Sequence, residues 1–362
     1  MLEPVVPVPS HSSENPHMTV DVPVPTIISQ NVLIEPDAVR ILDRRVFPFE
    51  KSWVTCRNHE DVAKAIEDMV TQSSGPLFAA AGGMTLAARD ADRLGTLEQR
   101  REFMAAAGHR LVNTRKTNNQ IRDVVAELLA VATATLDAGE PLAETVERAA
   151  LAAGDRYLDR SRKLGEHAAE LIPDGATVLT HCWAESYITE TMAAVLRSGK
   201  RVDAICTETR PYLQGARLTS ESLAEMGVPT RLITDGMAAH LMSRGEITRF
   251  VTAADRITMD GHVVNKIGTL QIAISAHAFD VPFVALVHAP DAQAPSADDV
   301  EMEDRDGDEV LHCLGRRTAS HRVTGIYPAF DITPPRYVRT VVTDRGRFSP
   351  QDLHSYYAGE QA

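Results

Sequence analysis

The stretch RVDAICTETRPYLQGARLT, Arg201–Thr219, changes character halfway along. Val202–Cys206 is a short apolar run between polar neighbours, the pattern of a strand buried on both faces. Directly after it come Glu208, Arg210, Gln214 and Arg217. That loop is too polar for a core and too rich in directed donors and acceptors for a linker. In open parallel sheets the ground beyond the carboxyl end of a strand is where ligands bind.

The same alternation continues on both sides. ATVLTHC (Ala176–Cys182), TRLITDG (Thr230–Gly236), RFVTAADRI (Arg249–Ile257) and VPFVALVHA (Val281–Ala289) are further apolar runs bounded by turn residues. Helical stretches such as SYITETMAAVLRS (Ser186–Ser198) and SESLAEM (Ser220–Met226) separate them. Gly199, Gly227 and Gly245 follow helical runs, where a left-handed residue commonly ends a helix, and Pro229 blocks continuation past Gly227. Repeated strand–helix–strand units with right-handed crossovers predict a Rossmann-like parallel sheet. None of these strands is followed by GxGxxG, so no dinucleotide fingerprint accompanies it. Cys182, Glu208, Asp235 and Asp255 all fall at strand ends on one rim. Singly, a cysteine there reads as a small buried hydrophobe and an aspartate as a helix cap; together they read as a cleft with convergent polar groups.

Before Ile172 the apolar residues mostly recur at helical spacing, as in QIRDVVAELLAVATATL (Gln120–Leu136). The fold class expected is therefore α/β: a mainly helical N-terminal domain over residues 31–155, followed by a Rossmann-like catalytic domain over 156–362. Residues 1–30, rich in Pro, Ser and His without a repeating apolar face, read as a disordered arm.

Composition narrows the function. The 362 residues are 44% hydrophobic and carry a formal charge of −13, which argues against a phosphate-backbone binder and so against nucleic acid. Four cysteines without a CxxC pair suggest neither a zinc ribbon nor a disulfide framework and fit a reducing cytoplasm. No apolar run approaches the roughly 18 residues of a membrane span, and the N-terminus lacks a basic-then-apolar leader. No His/carboxylate cluster at ligand spacing points to a metal, and nothing points to a cofactor.

Two further places suggest anion binding. Asn265 and Lys266, in DGHVVNKIGTLQIAISAHAF (Asp260–Phe279), read as opening a helix whose free N–H groups attract phosphate. In LVNTRKTNNQI (Leu111–Ile121), Arg115 and Lys116 stand within a Thr/Asn cluster able to cap the next helix.

These motifs carry a resemblance: HC at 181–182, ETRPYLQGARLT from Glu208, ITDGMAAHLM from Ile233, AADRI, DG and NKIGT between Ala253 and Thr269, then RTA from Arg317 and YPAFDITP from Tyr327. Together they resemble the methylthioribose-1-phosphate isomerases, in the wider family of translation initiation factor 2B regulatory subunits and ribose-1,5-bisphosphate isomerase. The resemblance runs from about Arg40 to Val342. It implies catalytic roles for Cys182 and Asp235, and substrate binding by Gln214, Asn265, Lys266 and, from the N-terminal domain, Arg115. It also implies a sugar-phosphate substrate and a homodimer. The loop then has a purpose: Gln214 serves the sugar while Arg210 and Arg217 brace neighbouring carboxylates.

The chain also departs from the family. Where the family has a phosphate-gripping Arg-Gly-Ala-Pro segment, this chain has Ser73, Ser74 and Gly75, donors to phosphate without the charge. After the cysteine, Asn-Ala-Gly becomes Trp183, Ala184 and Glu185, and the tyrosine after NKIGT is Leu270. The expected activity is aldose–ketose isomerisation of a ribose 1-phosphate, with 5-methylthioribose 1-phosphate first. The alternatives are another pentose 1-phosphate (5-deoxyribose 1-phosphate or ribose 1,5-bisphosphate) and a non-catalytic regulatory subunit sensing a sugar phosphate or nucleotide, which would have no use for both Cys182 and Asp235.

Overall fold

The computed structural model describes residues 21–115, 119–302 and 304–358. The expected arm from Met1 to Val20, and Lys116, lie outside the described residues. A short helix α1 (Thr26–Ser29) leads into an antiparallel sheet of β1 (Val32–Ile34), β2 (Val39–Leu42) and β3 (Trp53–Cys56). Five helices follow: α2 (His59–Glu67), α3 (Gly75–Ala91), α4 (Leu97–Val112), α5 (Asn119–Ala138) and α6 (Leu142–Ala169). The first half is thus mainly helical as read, apart from three strands too short to register in an 11-residue-scale periodicity.

The second half contains β4 (Ala176–Thr180), α7 (Glu185–Arg197), β5 (Val202–Thr207), α8 (Ser220–Glu225), β6 (Thr230–Ile233), α9 (Ala238–Ser243), β7 (Arg249–Ala253), β8 (Arg256–Ile257), β9 (Val263–Lys266), α10 (Thr269–Ala278), β10 (Phe283–Leu286), β11 (Phe330–Thr333), β12 (Thr340–Thr343) and β13 (Gly346–Phe348). The main sheet has the order β13-β12-β10-β7-β4-β5-β6, parallel throughout except for the edge strand β13. This is the doubly wound arrangement, and its direction of winding reverses between β4 and β7. The strands β8, β9 and β11 make a separate antiparallel sheet.

Period-two alternation sends each strand's side chains into two cores. Val178, Ala204, Val251, Val284 and Val342 join the cluster shared with the N-terminal helices. Leu179, Ile205, Phe250, Phe283 and Val341 join the other, where the Phe250 and Phe283 rings stack at 4.4 Å. The helix α6 ties the halves together. Its buried positions Leu142, Val146, Ala150, Ala153, Tyr157, Ser161, Leu164 and Ala168 form one stripe at helical spacing. Gly165 lets α7 approach until a Cβ there would lie 2.5 Å from the Glu190 carbonyl carbon. The boundary expected at 155/156 therefore falls within a continuous helix, because the stripe serves both halves.

Ordered packing begins earlier than residue 31. Val22 and Ile27 are buried, and the N–H and hydroxyl of Thr26 donate to the Glu225 carboxylate at 2.6 and 2.8 Å. The composition of the arm hid this, since one buried isoleucine makes no periodic pattern. Replacing Ile27 by Ala should destabilise the protein by about 2–5 kcal/mol, the usual range for emptying a buried aliphatic site. Urea denaturation measures it, and an unchanged midpoint would return residues 22–30 to the arm.

Candidate active site

The reversal between β4 and β7 opens a crevice at the carboxyl ends of the strands. A cavity of ≈1070 Å³ lies there, lined by Cys182, Gln214, Asp255, Asn265, Lys266 and Arg115 among others. After β4 the chain passes through His181 to Cys182, whose φ of 63° turns it toward α7. His181 is held on both sides. Its Nε2 faces the Ile267 carbonyl at 3.0 Å, an acceptor, so Nε2 carries the hydrogen; its Nδ1 then accepts from the Thr207 hydroxyl at 2.6 Å. Burial lowers the His181 pKa, against the pull of Asp235, so the ring is neutral. The Cys182 N–H donates to Thr209 Oγ1 at 2.9 Å, and the Thr219 hydroxyl donates to the Cys182 carbonyl. Burial pushes the Cys182 thiol up to about 11, with Lys266 opposing and Asp255 and Asp235 adding. The sequence reading missed His181 because a lone histidine beside a cysteine carries no spacing signal.

The loop after β5 is built by its arginines, but not as expected. Arg217 donates to the carbonyls of Arg44, Arg45, Phe47 and Tyr212, and Arg210 to those of Pro211, Val310 and His312. They brace backbone carbonyls rather than carboxylates, which joins the loop to the N-terminal half and to the segment around Val310. Gly215 lies so close to β5 that a Cβ would fall 1.8 Å from the Thr207 carbonyl oxygen. Gln214, 5% exposed, keeps a buried Oε1 without a hydrogen-bond partner among the described residues. Asp235 accepts the N–H groups of Thr209 and Arg210, both at 2.8 Å. It is not among the cavity's lining residues; it holds the loop and acts on Cys182 and His181 through its charge. Partial burial and the charge of Asp235 raise the Glu208 pKa.

Asn265 and Lys266 end the strand β9 and do not open a helix. Val263 and Val264 continue the strand pattern, and Gly268, at φ 106°, makes the turn into α10. The N-terminus of α10 already has its anion: Asp331 accepts from the N–H of Gly268 at 2.7 Å and of Leu270 at 3.1 Å. Phosphate attraction at this point therefore comes from the lysine and not from the helix. Lys266 is 6% exposed, lies 4.3 Å above the Phe330 ring and has no ion pair among the described residues. Arg115 lines the same cavity, where it contacts the Met69 sulfur.

Ser73 and Ser74 line the cavity too, but Gly75 is not among its lining residues. A Cβ on Gly75 would fall 1.9 Å from Thr71 Oγ1 and 2.8 Å from Arg44 Nη2, so this glycine makes room for a neighbouring guanidinium. Ser74 is already engaged. Its N–H donates to Glu185 Oε2 at 2.8 Å and its hydroxyl donates to the same atom. The other carboxylate oxygen accepts from Arg44 Nη2 at 2.9 Å, in a pair that is almost wholly buried. The open donors expected at Ser73–Gly75 are thus partly spent on a carboxylate of the chain itself. Glu185 has φ 45°, which suits glycine and costs another residue about 1–2 kcal/mol. Its contacts offset that strain. Trp183, 5% exposed, lines the cavity and packs on Ile27, Leu42, Phe47 and Leu218.

No group of His, Cys, Asp and Glu placed to hold a metal occurs among the described residues, and no helix among them is long and apolar enough to cross a membrane.

A sequence profile of the Initiation factor 2 subunit family matches residues 73–350. The methylthioribose-1-phosphate isomerase of Thermotoga neapolitana is 36% identical over 87% of this chain and 93% of its own length. That of Syntrophotalea carbinolica is 37% identical over 85% and 92%. Among solved structures, 5-methylthioribose 1-phosphate isomerase from Pyrococcus horikoshii superposes with a TM-score of 0.84 at 29% identity, covering 92% of this chain and 96% of that one. The delta subunit of translation initiation factor eIF-2B from A. fulgidus superposes with a TM-score of 0.76 at 31% identity, covering 88% and 96%.

The state of Cys182 is open to direct measurement. Alkylation by iodoacetamide follows the thiolate, so labelling of Cys182 should be slow at neutral pH and keep rising toward pH 11, read by mass spectrometry. A rate already at its plateau near pH 8.5, the range of a free thiol, would contradict a thiol held neutral by its surroundings.

Proposed function

This chain belongs to the Initiation factor 2 subunit family, and on that premise we propose that it is an aldose–ketose isomerase converting 5-methylthioribose 1-phosphate to 5-methylthioribulose 1-phosphate. The observation that carries the reading is the convergence of Cys182, Gln214, Asn265 and Lys266 on one cavity at the sheet's switch point. Lys266, buried without a counter-ion among the described residues, supplies the charge for a phosphate, and Arg115 joins it from the N-terminal half. The unpartnered Oε1 of Gln214 suits a sugar hydroxyl, which donates to it.

The chemistry explains this set. An aldose 1-phosphate has its anomeric oxygen esterified, so the ring opens only if its own oxygen is protonated while C1 becomes electrophilic. Asp235 is the acid in this reading, and because it is ionised in the resting loop it must take up a proton before it can give one to the ring oxygen. Its two oxygens are held by loop N–H groups, so its use on substrate is coupled to the setting of the Thr209–Arg210 loop. Hydrogen must then pass from C2 to C1. Burial pushes the Cys182 thiol up, so the neutral form dominates near pH 7, and a bound phosphate dianion would push it further. Thiolate is therefore scarce in the resting site. The neutral thiol fits a direct hydride shift, in which Cys182 shapes a shielded, weakly polar surface beside C1 and C2. The four free cysteines fit a cytoplasmic setting, and we extend the proposal to a homodimer on the strength of the family resemblance.

Cys182→Ser and Asp235→Asn should each lower kcat by about 10²-fold or more while substrate still binds. Near-normal turnover in either would remove that residue from the mechanism. With deuterium at C2, a hydride shift carries the label to C1, whereas an enediol route washes it into solvent. Across the methylthio, 5-deoxy, 5-hydroxy and 5-phospho substrates, kcat/KM should be highest for the methylthio compound, and a preference for the 5-phosphate would overturn the substrate assignment.

Lys266→Ala and Arg115→Ala should each weaken substrate by about 1–3 kcal/mol, the scale of one charge-assisted contact. The effect is read in KM. If neither variant changes it, the phosphate is held elsewhere.

A further inference from the structure

Glu185 stands where an anionic ligand would. Its carboxylate takes the N–H and hydroxyl of Ser74, the residue that caps α3, and the guanidinium of Arg44. A helix N-terminus, a free backbone N–H, a hydroxyl and an arginine are the groups that bind phosphate in proteins generally. Here they bind a side chain of the same chain. The surroundings hold more donors than this carboxylate uses. Arg44 is wholly buried and its Nε has no partner among the described residues; neither does Nε2 of Gln72, two residues before Ser74, nor Nε1 of Trp183, two residues before Glu185. Gln72 and Trp183 are 6% and 5% exposed, and both line the cavity with Ser73, Ser74 and Glu185. The negative charge is felt nearby, since it adds to the burial that pushes the Tyr157 hydroxyl up to about 12.

We propose that the Glu185 carboxylate fills, from within the chain, an anion subsite made by Ser74, Arg44 and the N-terminus of α3, so that the phosphate of a substrate is kept off this wall and is left to Lys266 and Arg115. A phosphate at this wall would have to displace Glu185 or lie against it. This inference deepens the isomerase reading and rests on it for the identity of the substrate; the filled subsite rests on the contacts alone.

The test uses inorganic phosphate as probe and thermal unfolding of the full chain at constant ionic strength as readout. All comparisons are made in the Lys266→Ala background, so that phosphate held by Lys266 does not contribute. With Glu185 present, phosphate should raise the melting temperature little. Glu185→Ala should bind phosphate about tenfold more tightly or better, the gain expected from one charge-assisted contact made available. Adding Arg44→Met should abolish that gain. If Glu185→Ala does not fold, Glu185→Gln, which keeps the size and one acceptor while removing the charge, should show a smaller gain of the same sign. Equal phosphate response with and without Glu185, or a gain that survives the loss of Arg44, overturns the proposal. The readout needs no turnover, so inactivity on every ribose 1-phosphate would count against the isomerase reading and not against this one.

Discussion

The right-handed crossover between parallel strands is the constraint from which the site follows. Because β4, β5, β6, β7, β10 and β12 all run the same way, every loop leaving a carboxyl end lies on one rim. Because the chain winds first one way from β4 and then the other from β7, two neighbouring loops part and leave a crevice. Cys182 follows the first of these strands and Asp255 the fourth, so groups far apart in sequence share a wall. No local preference of either residue would bring them together.

The crevice would be open to water without the N-terminal half. The turn leading into α3 brings Gln72, Ser73 and Ser74 to it, the segment after α4 brings Arg115, and α6 crosses from the helical layer onto the sheet. Arg217 and Arg210 fasten the loop after β5 to both sides through carbonyl oxygens. That enclosure is why Cys182 stays a thiol and His181 a neutral ring. Burial, more than any single charge, sets the protonation of the groups beside the substrate.

Much of this was legible in the sequence, for definable reasons. Strands buried on both faces leave apolar runs, so β4, β5, β7 and β10 were visible, and their ends pointed to Cys182 and Asp255. Gln214 and Lys266 were found through motifs and lie in the cavity. The misreadings share a cause. Asn265–Lys266 looked like a helix start because a glycine and a helical run follow, but the anion at that helix is Asp331, which is 65 or so positions on and invisible to local reading. Ser74 looked like a free donor because its acceptor, Glu185, is 111 residues away. The division at 155/156 was drawn from a change of pattern, whereas the amphipathic stripe of α6 continues through it. Long-range pairing of polar groups is what periodicity and spacing do not encode.

The pair of Arg44 and Glu185 joins segments 141 residues apart. Losing one member of a buried ion pair typically costs about 3–5 kcal/mol, because the other is left uncompensated. The route by which such a wall arises or disappears is therefore narrow. A glutamate at 185 is tolerable only in a background that already carries a cation at 44, and an arginine at 44 is tolerable only where an acceptor reaches it. The two positions are locked as one hereditary unit. A chimaera that joins the N-terminal half of this chain to the sheet of a relative with glycine at the matching position would inherit an orphaned charge, even if every backbone contact were kept.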